Sequence, residues 1–239
     1  MLEITNLTKM FGGFTALSDV NISVEPGERL GLIGPNGSGK TTLINCISGS
    51  IQDYEGEVDF DGQELNGLAA HKRTRVGISR SFQIPKPFAS MTIKENLLIP
   101  MEFAAQGGDL GGASIYEEAD KLIDTLGLTE KADQLTSGLT QIEMRKLELA
   151  RAMAAKPKLL ISDEAMAGLS SSEVDDILKI LIALNEATKV TIIMIEHIMR
   201  AVMSFSERVV CLDAGKVIAN ATPGEVIKIP AVEKAYLGE

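Results

Sequence analysis

Apolar residues along this chain change their spacing from block to block, and each change marks a different kind of structure. Near the N-terminus they come in short runs, at residues 2–7, 16–24, 29–33, 56–60 and 76–81, separated by turn residues such as Gly12-Gly13, Pro26-Gly27 and Asp61-Gly62. Runs of that length and punctuation predict strands, the early ones forming an antiparallel meander. Between Pro85 and Pro157 the apolar positions recur three or four apart, at 92–105, 115–126 and 142–155. That period predicts amphipathic helices gathered in a separate lobe, with the Gly-rich 106–113 as a flexible connection inside it. Beyond Pro157, strand-like runs at 158–162, 190–195 and 208–212 alternate with helical segments at 171–188 and 197–204. Such alternation predicts parallel strands beneath crossover helices. A short strand at 216–220, a helix from Pro223 and a last helix at 231–237 follow. The expected fold class is α/β: a parallel-sheet core with an antiparallel β-subdomain and an inserted helical lobe. The core takes residues 1–84 and 156–239, the lobe 85–155.

Composition narrows the setting. A chain of 239 residues can bury a sizeable core without disulfide or metal staples and is expected to fold on its own. It has no Trp, seven Phe and three Tyr, so the core is aliphatic, as parallel sheets prefer. No apolar run approaches the ~20 residues needed to cross a bilayer. Residues 1–7 show neither the basic nor the apolar region of a signal peptide, so a cytoplasmic protein without direct membrane insertion is expected. Cys46 and Cys211 lack metal-ligand spacing and read as small buried hydrophobes. A net charge of −10 argues against a nucleic-acid surface, which needs clustered Lys and Arg. An anionic membrane surface would also repel the chain, so attachment to a membrane would run through a protein partner.

One motif carries chemistry outright. Between the strand at 29–33 and a helix at 43–48 lies Gly34-Pro35-Asn36-Gly37-Ser38-Gly39-Lys40-Thr41-Thr42. The pattern G-x-x-x-x-G-K-[ST] in that setting is a phosphate-binding P-loop. Its glycines let the backbone wrap a polyphosphate and aim successive N–H groups at the oxygens, and the helix N-terminus adds positive potential. Lys40 is expected to reach the β- and γ-phosphates, and the Thr41 hydroxyl to ligate Mg²⁺. ATP and Mg²⁺ are the expected ligands. A second element, Leu159-Leu160-Ile161-Ser162-Asp163-Glu164, delivers two carboxylates at the C-terminal end of a strand, where open α/β sheets place their ligands. Asp163 is the candidate support for Mg²⁺, and Glu164 the candidate general base that polarises an attacking water.

The order of these elements, with Gln83 between them at the edge of the helical lobe, a helix ending Leu147-Glu148-Leu149-Ala150-Arg151-Ala152, and Glu196-His197 after a later strand, resembles the ATP-binding cassette (ABC) ATPases over the full chain. The resemblance implies that Gln83 is the Q-loop glutamine, touching Mg²⁺ and water and relaying state to a membrane partner. It implies that His197 is the switch histidine of the γ-phosphate, and that Phe11 stacks on adenine. Within the family, FGGFTALSDV, VGISRSFQ, MTIKENLL and KAYLGE look like the ATPase subunits of branched-chain amino acid importers; relatives that move urea, amides or lipopolysaccharide look similar. The implied partners are transmembrane permease subunits, on the inner face of the cell membrane, and a second ABC ATPase subunit in a homo- or heterodimer.

The chain also departs from the family. Counting back from Arg151, the Leu-Ser-Gly-Gly-Gln signature falls on Leu139-Thr140-Gln141-Ile142-Glu143, without either glycine. Ser137-Gly138 offers an alternative register at the cost of a two-residue insertion. In the unshifted register Thr140 keeps the hydroxyl that the family presents to the γ-phosphate across the dimer, and Glu143 keeps a ribose partner, whereas Ile142 brings a branched side chain to a close approach. Ala165 replaces a usual proline, and Ser170 a usual Asp or Asn. Three readings follow. The leading one is an importer motor subunit, which a heterodimer would make asymmetric. A nucleotide-dependent regulatory module with little turnover is the second. A soluble ABC protein acting on DNA or ribosomes is disfavoured by the lack of coiled coils, tandem cassettes or basic arms.

Overall fold

The computed structural model describes residues 1–81, 85–104 and 114–237. In chain order the elements are strands β1 (Leu2–Phe11), β2 (Phe14–Val24) and β3 (Arg29–Ile33), helix α1 (Lys40–Ser48), strands β4 (Glu55–Phe60) and β5 (Gln63–Glu64), helix α2 (Ala70–Val76), strand β6 (Ile78–Ser81), and helices α3 (Ile93–Phe103), α4 (Ile115–Thr125) and α5 (Gln141–Ala154). Then come β7 (Leu159–Asp163), α6 (Ser171–Thr188), β8 (Thr191–Ile195), α7 (Met199–Phe205), β9 (Arg208–Asp213), β10 (Lys216–Ala221), α8 (Pro223–Val226) and α9 (Pro230–Leu237). They form two compact units, Met1–Arg73 with Thr191–Glu239, and Thr74–Val190.

The first unit contains the antiparallel sheet, in the order β2-β1-β4-β5. It also contains a parallel set in which β3 lies between β8 and β9, with β10 antiparallel on the far side of β9. Beyond Arg29 and Thr191 at their starts, β3 and β8 are apolar and buried, as strands covered on both faces must be. Ile33 at the end of β3 shares a core with Val209, Cys211, Ala219, Val226 and Val232, which ties the C-terminal helices to the strand that carries the P-loop. Arg73 is 1% exposed and pairs with no acid among the described residues. Its guanidinium donates to the carbonyls of Cys46 (2.5 Å), Ile47 (3.0 Å), Leu65 (2.7 Å) and Leu68 (2.8 Å) and to the Tyr54 hydroxyl (3.3 Å). Two of those carbonyls belong to the last turn of α1, where no intrahelical donor exists.

The second unit pairs β6 with β7 in parallel, Ile78 against Leu159 through Ser81 against Ser162, and packs α3, α4 and α5 on one another. The expected strand at 76–81 begins only at Ile78. Val76 ends α2, and Gly77, at φ 110°, turns the chain out of the helix; that conformation is open mainly to glycine. The lobe helices start where local chemistry caps them. Thr92, Ser114 and Thr140 each accept a bond from the backbone N–H three residues on, and Glu95, Glu117 and Glu143 reciprocate, three capping boxes in succession. No helix among the described residues is long and apolar enough to cross a membrane.

Candidate functional site

The P-loop leaves the sheet after Ile33 and returns as α1. Gly34, Gly37 and Gly39 sit at φ 147°, 79° and 106°. At Gly34 a Cβ would collide with the Leu212 carbonyl and lie 2.6 Å from Ser38 Oγ, so neither the backbone angle nor the space admits another residue. The first intrahelical bond of α1 runs from Leu43 N–H to Gly39 O. The N–H groups of Lys40, Thr41 and Thr42 therefore lie ahead of the ladder, and Gly39 supplies no side-chain cap to them. Lys40 is 6% exposed, and its Nζ is held over the loop by the carbonyls of Gly34 (2.6 Å) and Pro35 (3.0 Å). Ser38 Oγ is buried without a hydrogen-bond partner among the described residues. A buried hydroxyl without a partner among the described residues, helix donors ahead of the ladder and a poised ammonium make a cradle suited to phosphate oxygens.

His197 follows β8, and Leu32 pairs with Ile195 across the parallel β3–β8 ladder. The P-loop and His197 thus emerge from adjacent strand ends, His197 exposed and Glu196 buried. Phe11 lies at the end of β1, opposite Phe14 in the hairpin, and is 49% exposed. Lys9 Nζ stands 4.7 Å from the Phe11 ring centroid and bonds the Asp53 carboxylate at 2.7 Å. That bond holds the exposed Asp53 carboxyl below its ordinary range.

In the second unit Asp163 ends β7 and is 8% exposed. It is engaged: Arg80 of β6 donates to one carboxylate oxygen from Nη2 at 2.6 Å and from Nε at 3.2 Å. Arg80 carried no signal in the sequence beyond its place within VGISRSFQ. Glu164 is partly buried at φ 49°, a left-handed turn that re-aims the chain after the strand. Ala165 is buried at 3% exposure, and Ser170 caps α6, donating to the Glu173 carboxylate at 2.7 Å. Gln83 lies outside the described residues, as does the whole of the Gly-rich 106–113 connection.

Thr140 is the N-cap of α5. Its hydroxyl accepts from Glu143 N–H at 3.4 Å, and the Glu143 carboxylate accepts from Thr140 N–H at 2.9 Å and pairs with Lys131 at 2.7 Å. These partners, Lys131 first, hold the Glu143 carboxyl below its usual 4.5. Four of the five residues that fall on the family signature, Thr140 to Glu143, are therefore a capping box. The T-x-x-E spacing is the local signal for that role. Ser137 and Gly138 belong to a separate 3₁₀ turn, Thr136–Gly138. From α5, Gln141 and Arg145 both donate to the Ala167 carbonyl, at 3.3 and 3.2 Å, so the start of α5 rests on the turn that follows Glu164.

A glycine-wrapped loop between a buried parallel strand and an uncapped helix defines a P-loop nucleotide-binding protein. Residues 17–167 match the family described as "ABC transporter". The chain is 38% identical to the high-affinity branched-chain amino acid transport ATP-binding protein BraF of Pseudomonas aeruginosa, over all of this chain and 98% of that protein. It is 34% identical to the lipopolysaccharide export system ATP-binding protein LptB of Haemophilus influenzae, again over 100% and 98%. The ADP conformation of MJ1267, an ATP-binding cassette of an ABC transporter, superposes with a TM-score of 0.88 at 32% identity, covering 100% of this chain and 99% of that one. The chain belongs to the ABC transporter family, as one of its nucleotide-binding ATPase subunits, with the α/β architecture of the ABC cassette.

Proposed function

We propose that this chain is the ATP-hydrolysing motor subunit of an ABC importer for branched-chain or other hydrophobic amino acids or related small solutes. It would dock on transmembrane permease subunits at the inner face of the membrane and work as a dimer. The observation that carries the reading is the phosphate cradle around Lys40, joined to full-length similarity to an amino-acid transport subunit.

In this reading the N–H groups at the start of α1 and Lys40 hold the phosphates, and Phe11 offers its ring to adenine. Thr41, Asp163 and Gln83 would hold Mg²⁺. Hydroxyl, carboxylate and amide oxygens are the hard donors that ion takes, and it completes its shell with phosphates and waters rather than a protein cage. Consistent with that, no cluster of three His, Cys, Asp or Glu exists among the described residues. The ion would neutralise charge that builds on the transferred phosphoryl group. Glu164 polarises the water, and His197 contacts the γ-phosphate. In this reading residues 1–84 and 156–239 are the nucleotide-binding core, residues 85–155 the helical lobe, and Gln83 reports nucleotide state to the permease. ATP drives dimer closure only as far as it binds the closed state better than the open one.

One observation favours a second reading, a regulatory subunit with little turnover. The Thr140 hydroxyl is engaged in the cap of its own helix, and the Glu143 carboxylate is engaged by that cap and by Lys131. A heterodimer reconciles the two: a partner's intact signature would complete this chain's P-loop site, and this chain's altered one would serve the partner's ATP poorly. Steady-state ATPase with Mg²⁺ tests both readings. The motor reading expects turnover that Lys40→Ala abolishes and Glu164→Gln lowers at least about 100-fold, with ATP binding kept, as expected for loss of a general base. Tight ATP binding with no turnover, even beside a partner cassette, would establish the regulatory reading.

A further inference from the structure

The P-loop is anchored by a residue far from it in sequence. Gly34 N–H donates to Tyr236 Oη of α9 at 2.8 Å. Gly34 is buried, and the β3–β9 ladder ends one residue earlier, at Ile33 against Cys211, so this N–H has left the register that would give it a strand partner. A buried backbone donor without an acceptor is costly, and the tyrosine supplies the acceptor. Its helix is fixed to the same strand, because Val232 of α9 and Ile33 share one core cluster with Val226 and Cys211. Gly34 is thereby held at both polar atoms, its N–H by Tyr236 and its carbonyl by Lys40. Lys40 also serves the phosphates, so the tyrosine bond is the hold that nucleotide does not draw upon.

We propose that Tyr236 is a positioning residue of the nucleotide site: its hydroxyl fixes the entry of the P-loop in the phosphate-binding conformation and couples the C-terminal helix to nucleotide affinity. The inference rests on the reading of the P-loop as the nucleotide site. Tyr236 is still 43% exposed, and its partial burial raises the phenol's pKa above the ordinary 10, so the hydroxyl is protonated and neutral through physiological pH. A change at α9, such as contact with another protein, would reach the phosphates through one hydrogen bond and one shared core.

The test uses the full chain, with binding of Mg²⁺·ADP followed by calorimetry and exchange of the Gly34 amide followed without nucleotide. Tyr236→Phe keeps the ring and removes only the acceptor. It should raise the ADP Kd about three- to tenfold, the span of one net hydrogen bond, and speed Gly34 exchange. The ATP KM should rise in parallel while kcat at saturation stays within about twofold, and the melting temperature should change little. Tyr116→Phe, at a tyrosine 56% exposed on the lobe, should leave all of these as they were. Unchanged ADP affinity in Tyr236→Phe, while Lys40→Ala loses it, overturns the proposal, and so does unchanged Gly34 exchange. If Lys40→Ala also leaves ADP affinity intact, the nucleotide reading fails instead, and the exchange measurement still decides the tether.

Discussion

Arg73 offers the sharpest test of how this fold is held beneath its P-loop. Replacing it with Met keeps much of the aliphatic volume and leaves the carbonyls of Cys46, Ile47, Leu65 and Leu68 without their donor. A hydrogen bond from a charged donor contributes about 1.5–3 kcal/mol, and a buried acceptor left unpaired costs about 1–3 kcal/mol. Four such bonds do not sum, because water and backbone relaxation recover part of the loss; about 4 kcal/mol is the expected destabilisation. For a chain of this size each kcal/mol shifts the melting temperature by about 2–4 °C, so Arg73→Met should melt about 8–16 °C below wild type by circular dichroism. Arg73→Lys, with a compact ammonium that reaches one or two carbonyls, should lose roughly half as much. Because α1 carries Lys40 and Thr41, ADP affinity should fall with it. A melting shift under about 3 °C for Arg73→Met would refute the argument, since the carbonyls would then have found other donors.

Other consequences are as open to measurement. Arg80→Gln removes the cation on Asp163, so less Mg²⁺ should be needed for half-maximal ATP binding; a higher requirement would show that Arg80 orients the carboxylate rather than competing with the metal. Glu143, lowered mainly by Lys131, contributes stability that is present above about pH 4.5 and lost as pH falls through its depressed folded value. The stability gap between wild type and Glu143→Gln, followed by urea melts, should be full at pH 7 and close in acid; a gap independent of pH counts against the cap. Burial pushes both thiols, Cys46 and Cys211, up to about 11, so neither should react with a disulfide reagent at pH 8 until the chain unfolds, and fast labelling of the native protein would contradict their placement.

Much of this protein was decided by short-range pattern. The P-loop needs only glycines at fixed offsets between a strand and a helix; 29–33 folded as its spacing required, and the helix expected at 43–48 starts three residues earlier, at Lys40. The free, buried thiols and the alternation of strands and helices after Pro157 follow from side-chain polarity alone. T-Q-I-E shows the limit of such reading, since one stretch falls where the family signature is expected and also has the spacing of a capping box, and only the structure shows its side chains bonded within the cap. What sequence did not disclose is contact across long separations. Arg73 reaches the end of α1 26 and 27 residues away, Arg80 meets Asp163 across 83, and Tyr236 meets Gly34 across 202. A lone Arg or Tyr on a helix or strand announces no partner. Its partner is set by which elements pack together, and that is settled by burying the whole apolar surface at once.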